Sequence, residues 1–301
     1  MAAEDPRWPR ASMWLAGETG VDAAARLAVL GVPLHLGSIT PGRADLAPNA
    51  IRTALRRFST WDFDLQQDVR NVAVRDFGDL RVADLAPHDA FEPVVQGVAN
   101  LGKAGAIALL GGDNSLTRPA LHGLQEPLER CALLTLDAHL DLRDLDRVTN
   151  GNPVRALLQD GLPGANVAQV GIQSFANSPD YAKIACEEGI LIATAGHVHA
   201  RGVGPVMDDV LAHLAMRAEV IYVDLDLDVL DRAFAPGTPG SRPGGLSPWQ
   251  LRMAARMCGQ HPKVRAIDLV ELDPEQDVAD VTALAGAACL LSFASGLMIR
   301  Q

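Results

Sequence analysis

The 301-residue chain is short of aromatic residues, of positive charge and of paired cysteine. Phe, Trp and Tyr together make up 4% of it, too few for the stacking platforms that grip single-stranded nucleic acid. Lys and Arg number 26 against 37 Asp and Glu, a formal net charge of -11. Such a surface repels phosphate backbones and anionic lipid, so neither nucleic acid nor a membrane is an expected partner. The four cysteines (Cys131, Cys186, Cys258 and Cys289) have no CxxC spacing and sit among apolar neighbours. That pattern predicts small buried core residues rather than a disulfide or zinc framework. No apolar run reaches the roughly 20 residues of a membrane span. The N-terminal MAAEDPRWPRASMW has mixed charge and no apolar h-region, so a cytoplasmic protein is expected.

What the chain does have is core material. Hydrophobic residues make up 48% of it, which excludes compositional disorder. Short β-branched or Leu-rich runs ending in Gly, Asp or Pro predict strands at 26–30, 71–75, 105–110, 132–136, 166–172, 190–194, 220–225 and 264–270. Their continuous apolar character suits a parallel sheet buried on both faces. Intervening stretches such as 48–58 and 93–103 are long enough for crossover helices. With no Pro/Ser-rich linker and no repeat, the expectation is an N-terminal arm over residues 1–20 and one α/β domain over 21–301. One loop, 231–247 (DRAFAPGTPGSRPGGLS), is unusually long and rich in Pro and Gly, and loops of that length are usually functional.

Parallel α/β sheets bind ligands beyond the carboxyl ends of their strands, and four such ends carry unusual chemistry. Asp137-Ala138-His139-Leu140-Asp141 follows one strand. If strand geometry persists, its Asp137, His139 and Asp141 converge. Asp224-Leu225-Asp226-Leu227-Asp228 ends another with carboxylates at period two. Like charges on one face repel unless solvated or neutralised by a cation. Either segment alone is equally compatible with a solvated strand end; two in one sheet point to a carboxylate metal centre. Gly111-Gly112-Asp113-Asn114-Ser115 is a glycine turn that lets the backbone approach a site closely, and it lacks the P-loop spacing. In Asp268-Leu269-Val270-Glu271-Leu272-Asp273-Pro274 a carboxylate stands where a cationic amidinium would pair with it or a following helix would be capped.

Taken together and in order, GGDNS, DAHLD, DLDLDVLD with its Pro/Gly-rich loop, and DLVELDP resemble the arginase/agmatinase/formimidoylglutamase superfamily. The likeness runs from about Leu27 to Leu297. It implies a three-layer α/β/α sandwich with a mainly parallel, about eight-stranded sheet, two Mn²⁺ ions, and hydrolysis of guanidino or formimino C–N bonds. Carried over position by position, it makes Asn114, Asp137, His139, Asp141, Asp226 and Asp228 metal ligands, with Asp137 and Asp226 bridging. Asp141 and Glu271 become the catalytic pair, Glu271 holding the cationic amidine head. It also implies a homo-oligomer, a trimer or hexamer.

Two positions depart from the arginase and agmatinase pattern. Asn114 stands where His is usual, and a neutral amide should bind a metal more weakly, leaving occupancy of that position doubtful. The segment Thr149-Asn150-Gly151-Asn152-Pro153 lacks the usual His proton shuttle. With Ser174–Ser178 and DVLDRAFAPG, these variants resemble a formimidoylglutamase branch. That branch implies N-formimidoyl-L-glutamate as substrate, yielding L-glutamate and formamide in histidine degradation. Arg143, Asn150, Asn152 and Arg155 are then the candidate substrate contacts, the arginines facing its carboxylates, with Arg242 a further, weaker candidate. The alternatives are a guanidino-acid or agmatine hydrolase releasing urea, and a non-catalytic metal-binding paralogue. A nucleotide-binding domain would need a phosphate cradle that is missing from the sequence. His197 and His199 are read as helix-start or surface residues, His35, His88, His122, His213 and His261 match nothing in the family pattern, and Tyr222 and Trp249 are read as packing residues.

Overall fold

The computed structural model describes Asp5, residues 7–17 and residues 25–300; the rest of the expected arm lies outside the described residues. Among the described residues the ten α-helices are α1 (Ala11–Leu15), α2 (Ala47–Ala54), α3 (Pro87–Ala99), α4 (Thr117–Gly123), α5 (Pro153–Asp160), α6 (Pro179–Glu187), α7 (Ala195–Arg201), α8 (Val203–Ala215), α9 (Pro248–Gln260) and α10 (Val281–Met298). The strands are β1 (Leu27–Val32), β2 (Trp61–Asp62), β3 (Gln67–Asp68), β4 (Val74–Asp79), β5 (Ala106–Gly111), β6 (Cys131–Leu136), β7 (Val167–Ile172), β8 (Leu191–Thr194), β9 (Val220–Asp226) and β10 (Val264–Val270). Strands β2 and β3 form a small hairpin, and the other eight make one sheet in the order β4-β1-β5-β10-β9-β6-β7-β8. Every pairing within that sheet is parallel.

Strand alternation builds two cores from one set of apolar runs. Leu27 and Val29 of β1, with Leu134 and Leu136 of β6, face α1, α2 and α7 to α10. Ala28 and Leu30, with Cys131 and Leu133, face α3 to α6. The resulting three layers bury β1, β5, β6 and β7 at every residue. Trp14 of α1 is fully buried and donates from its indole Nε1 to Val72 O at 3.0 Å. Helix α1 is therefore fastened to the first core.

Several expectations need correcting. The strand expected over 71–75 begins at Val74, after a tight turn over Val69–Asn71. As an edge strand pairing only with β1, β4 stays largely exposed and its RDFGD sequence is polar. The helix expected over 93–103 starts at Pro87, because proline is preorganised for the first turn. Pro93 is tolerated inside it on an exposed face. The helix expected over 48–58 ends at Ala54 and continues as a tighter turn through Arg57. Cys186 is exposed on α6 whereas the other three thiols are buried, and Trp249 is 60% exposed rather than packed. Val281–Met298 is an 18-residue apolar helix long enough to cross a membrane, contrary to the sequence reading, but it is mostly buried in the first core.

Candidate metal centre and active-site cavity

The four motifs follow the four central strands β5, β10, β9 and β6, which are consecutive neighbours in the sheet. Their carboxyl ends open into a cavity of about 440 Å³, lined by His139, Asp141, Arg143, Asn150, Asp226, Asp228, Arg242 and Glu271 among others. Burial and register do the assembly here. Leu269 pairs with Leu225, Val270 with Asp226, and Leu136 with Leu225, so acidic strand ends from separate parts of the chain arrive at one level.

Strand geometry does not persist beyond Leu136, so the expected alternation is replaced by a fixed loop. Asp137 N donates to Val170 O at 3.0 Å and His139 N to Asp137 Oδ1 at 2.6 Å. Asp141 turns the chain with φ of 52°, a left-handed conformation that Asp adopts more readily than most residues. Asn177, which sequence reasoning passed over, clamps this loop. It accepts from Leu140 N at 2.8 Å and donates to Ala138 O at 3.0 Å. The only advance signal was its place in the SFANS segment. Asp228 lies in a tight turn after β9, where its N donates to Asp226 Oδ1 at 2.8 Å.

Ligand atoms of Asp137, His139 and Asp228 lie within 4.8 Å of one another. His139 Nδ1 is 3.0 Å from Asp228 Oδ2 and 3.4 Å from Asp137 Oδ1. Asp137 Oδ2 is buried and has no partner among the described residues. An orphaned carboxylate oxygen beside an imidazole and a second carboxylate fits a divalent cation that accepts oxygen and nitrogen donors. The electrostatics agree. Burial and then Asp228 push Asp137 up to about 6. Burial and repulsion from Asp228 and Asp137 hold Asp226 well above the ordinary carboxylate range. Burial opposes charge on His139, but Asp228 and Asp137 overrule it and lift it to about 11. The cluster demands positive charge.

Glu271 sits across this cavity in the left-handed region, with φ of 68°. Its N donates to Gly112 O at 2.9 Å, and its Oε1 accepts from Asn114 N at 2.7 Å and Asn150 Nδ2 at 3.1 Å. Gly112 also passes tightly against the chain beyond β1, where a Cβ would meet Leu34 O at 1.7 Å. Burial, then Asp113, pushes Glu271 up to about 8, so a cationic partner is what would keep it ionised.

Three expected contacts are placed differently. Asn114 lies behind the cluster: its Nδ2 donates to Asp141 Oδ2 at 2.8 Å, while its Oδ1 is 2.7 Å from the Thr117 hydroxyl. The amide oxygen thus faces Thr117 rather than the cavity. Asn152 is buried and staples its own loop, donating to Asp144 O and Arg147 O, both at 2.8 Å. Arg155, in the first turn of α5, donates to Leu142 O at 3.3 Å and lines a separate groove with Glu187 and Glu188. The helical phase set at Pro153 turns it away from the cavity. Arg143, Asn150 and Arg242 do line the cavity.

The Arginase family model matches residues 25–295. The chain is 34% identical to the formimidoylglutamase of Halalkalibacterium halodurans over 279 residues, covering 91% of this chain and 88% of that one. It is 30% identical to the mitochondrial agmatinase of Gallus gallus over 282 residues, covering 91% and 80%. Superposed on the crystal structure of formimidoylglutamase from Bacillus subtilis, it gives a TM-score of 0.92 at 29% identity, covering 100% of this chain and 95% of that one. With the family model spanning both halves of the sheet and the acidic strand ends gathered as described, the chain belongs to the arginase family.

Proposed function

We propose that this protein is a manganese-dependent hydrolase of linear amidines, converting N-formimidoyl-L-glutamate and water into L-glutamate and formamide, a step of histidine degradation. The observation that carries the reading is that His139 and Asp228, two members of the Asp137–His139–Asp228 cluster, line one cavity together with the buried Glu271. Similarity to formimidoylglutamases supports the choice of a formimino substrate. Two Mn²⁺ ions held by Asp137, His139, Asp141, Asp226 and Asp228 would supply Lewis-acid activation of water near neutral pH. Glu271, with Oε1 already occupied by Asn114 and Asn150, offers its other oxygen to the substrate's amidinium N–H groups and fixes the electrophilic carbon. Asp141, with Oδ2 held by Asn114, offers Oδ1 to take the proton released by the attacking water. It then passes that proton to the departing glutamate nitrogen. Arg143 at the cavity wall faces a substrate carboxylate. The enzyme would work as a cytoplasmic homo-oligomer, with residues 21–301 as its catalytic domain and 1–20 as an arm.

The test is hydrolysis by Mn²⁺-loaded protein, with formamide and glutamate measured from N-formimidoyl-L-glutamate, and urea from agmatine, arginine and guanidinobutyrate. Formamide release that is abolished in Asp226→Ala is the expected outcome. Urea from one of the other three would replace the substrate while keeping the metal chemistry. No turnover of any, with manganese bound, would make the protein a non-catalytic paralogue.

A further inference from the structure

We propose that Arg242, carried by the long Pro/Gly-rich loop, is a specificity-determining residue whose guanidinium holds a second carboxylate of the substrate. The inference rests on the reading above and extends it to the recognition of the substrate's far end. Four acidic side chains line the cavity (Asp141, Asp226, Asp228 and Glu271), and the two cationic arginines among its lining residues are Arg143 and Arg242. An anionic substrate entering so acidic a cavity, in a chain of net charge -11, needs local positive charge on the side away from Glu271. Neither arginine has a carboxylate within 4.0 Å among the described residues, so neither is committed to an ion pair. They stand on different walls. Arg143 lies against Gly151, whereas Arg242 stands beside His139 and Gly240.

The geometry of Arg242 suits a ligand contact. Its Nη1 donates to Gly240 O and lies 2.9 Å from His139 Nε2. That leaves Nε and Nη2, which form one edge of the guanidinium fork, without partners among the described residues. That edge matches a carboxylate bidentately. The loop beneath it is held. Arg232 N donates to Arg242 O at 3.1 Å, Arg232 Nη1 to Thr238 O at 2.7 Å, and Ser241 Oγ to Ala235 O at 2.7 Å. At Gly240 a Cβ would come within 2.0 Å of Asp228 Oδ2, so the loop passes directly over the cluster and delivers Arg242 to its rim. A dicarboxylate with a cationic head therefore meets, in one cavity, the Glu271 carboxylate and two separate guanidinium groups.

Arg242→Met and Arg242→Lys decide the matter. With N-formimidoyl-L-glutamate, Arg242→Met should raise KM about 10- to 100-fold, the worth of one charge-assisted contact. Its kcat should fall far less, and Arg242→Lys should recover part of the loss. With 4-formimidoylaminobutyrate and the formimidoyl derivative of 2-aminobutyrate, each lacking one carboxylate, the penalty should persist for one and shrink to less than about 3-fold for the other. Calorimetry with L-glutamate on the manganese-loaded protein should give a dissociation constant at least about 10-fold weaker in Arg242→Met. An unchanged KM and unchanged glutamate affinity in Arg242→Met would overturn the proposal, as would an equal penalty on both analogues. If the wild type instead cleaves a guanidino acid, the formimino reading fails separately. The KM of that acid is then the readout for Arg242, its rise supporting the proposal and its constancy sinking it.

Discussion

Asp228 and Glu271 are buried carboxylates lining one cavity, yet their neighbours give them different work. Burial alone would raise Asp228, but His139 holds it below the ordinary range, ionised and ready for a cation. Glu271 has no such imidazole and is raised to about 8, first by burial and then by Asp113. Asp228→Asn should therefore lose manganese, measured by elemental analysis after gel filtration. Glu271→Gln should keep its manganese while losing kcat/KM by about 100-fold or more, the usual cost of removing one preorganised electrostatic contact. Loss of metal from Glu271→Gln would make Glu271 a ligand and remove it from the amidine end. At this scale the metal-cluster candidates were legible because they group by type: Asp137, His139, Asp226 and Asp228 are unusual at strand ends whatever their exact rotamers. Asn152 and Arg155 were not legible. Their direction depends on where α5 begins and on hydrogen bonds to Asp144 O and Leu142 O, neither of which has a signature in residue type. Asn114 was legible as a site residue but not as one that donates to Asp141.

Between elements, helices α4 and α5 are joined by a partly buried clasp. Arg118 donates from Nε and Nη2 to the two oxygens of Asp160, both at 2.7 Å, and His122 Nε2 lies 2.9 Å from the same carboxylate. Burial opposes the charge on Asp160, but Arg118 and His122 hold it below the ordinary carboxylate range. A depressed folded value means the stabilisation is present above the unfolded pKa of about 3.9 and is lost as pH falls through the folded one. Asp160→Asn should cost about 2 kcal/mol at pH 7, read by urea unfolding. Its gap from the wild type should close between about pH 4 and the acid limit of folding; a gap independent of pH would assign the loss to packing instead. The strands themselves were legible because central parallel strands are apolar throughout, as in Cys131–Leu136 and Val264–Val270. The edge strand Val74–Asp79 was displaced by several residues, since one partner and an exposed face leave it no continuous apolar run. Trp249 was misjudged for a related reason: the Ser247–Gln250 capping box fixes where α9 begins, but its 60% exposure follows from the helix's rotation.

The whole molecule gathers negative charge at one end of its sheet while carrying a net -11. Asp137, Asp141, Asp224, Asp226, Asp228 and Asp268 are all buried there. Asp224, with both oxygens lacking a partner among the described residues, is raised by burial and then by Asp268. Folding without a cation must bring these groups together against their mutual repulsion. A metal that binds the folded chain and not the unfolded one adds RT ln(1 + [metal]/Kd), about 2.7 kcal/mol at 100 times Kd. For a chain of this size that corresponds to a Tm rise on the order of 5 °C. Treatment with a chelator should lower the Tm by about that amount, and graded Mn²⁺ should restore it in a concentration-dependent way. Asp228→Asn separates this from a general effect of salt. With one carboxylate removed from the cluster, added Mn²⁺ should hardly move the variant's Tm. Scanning calorimetry of the four samples reads the difference directly. A wild type whose Tm is indifferent to chelation and to Mn²⁺ would mean that the acidic strand ends are held together by protons alone, and the metal centre would have to be abandoned with the function built on it.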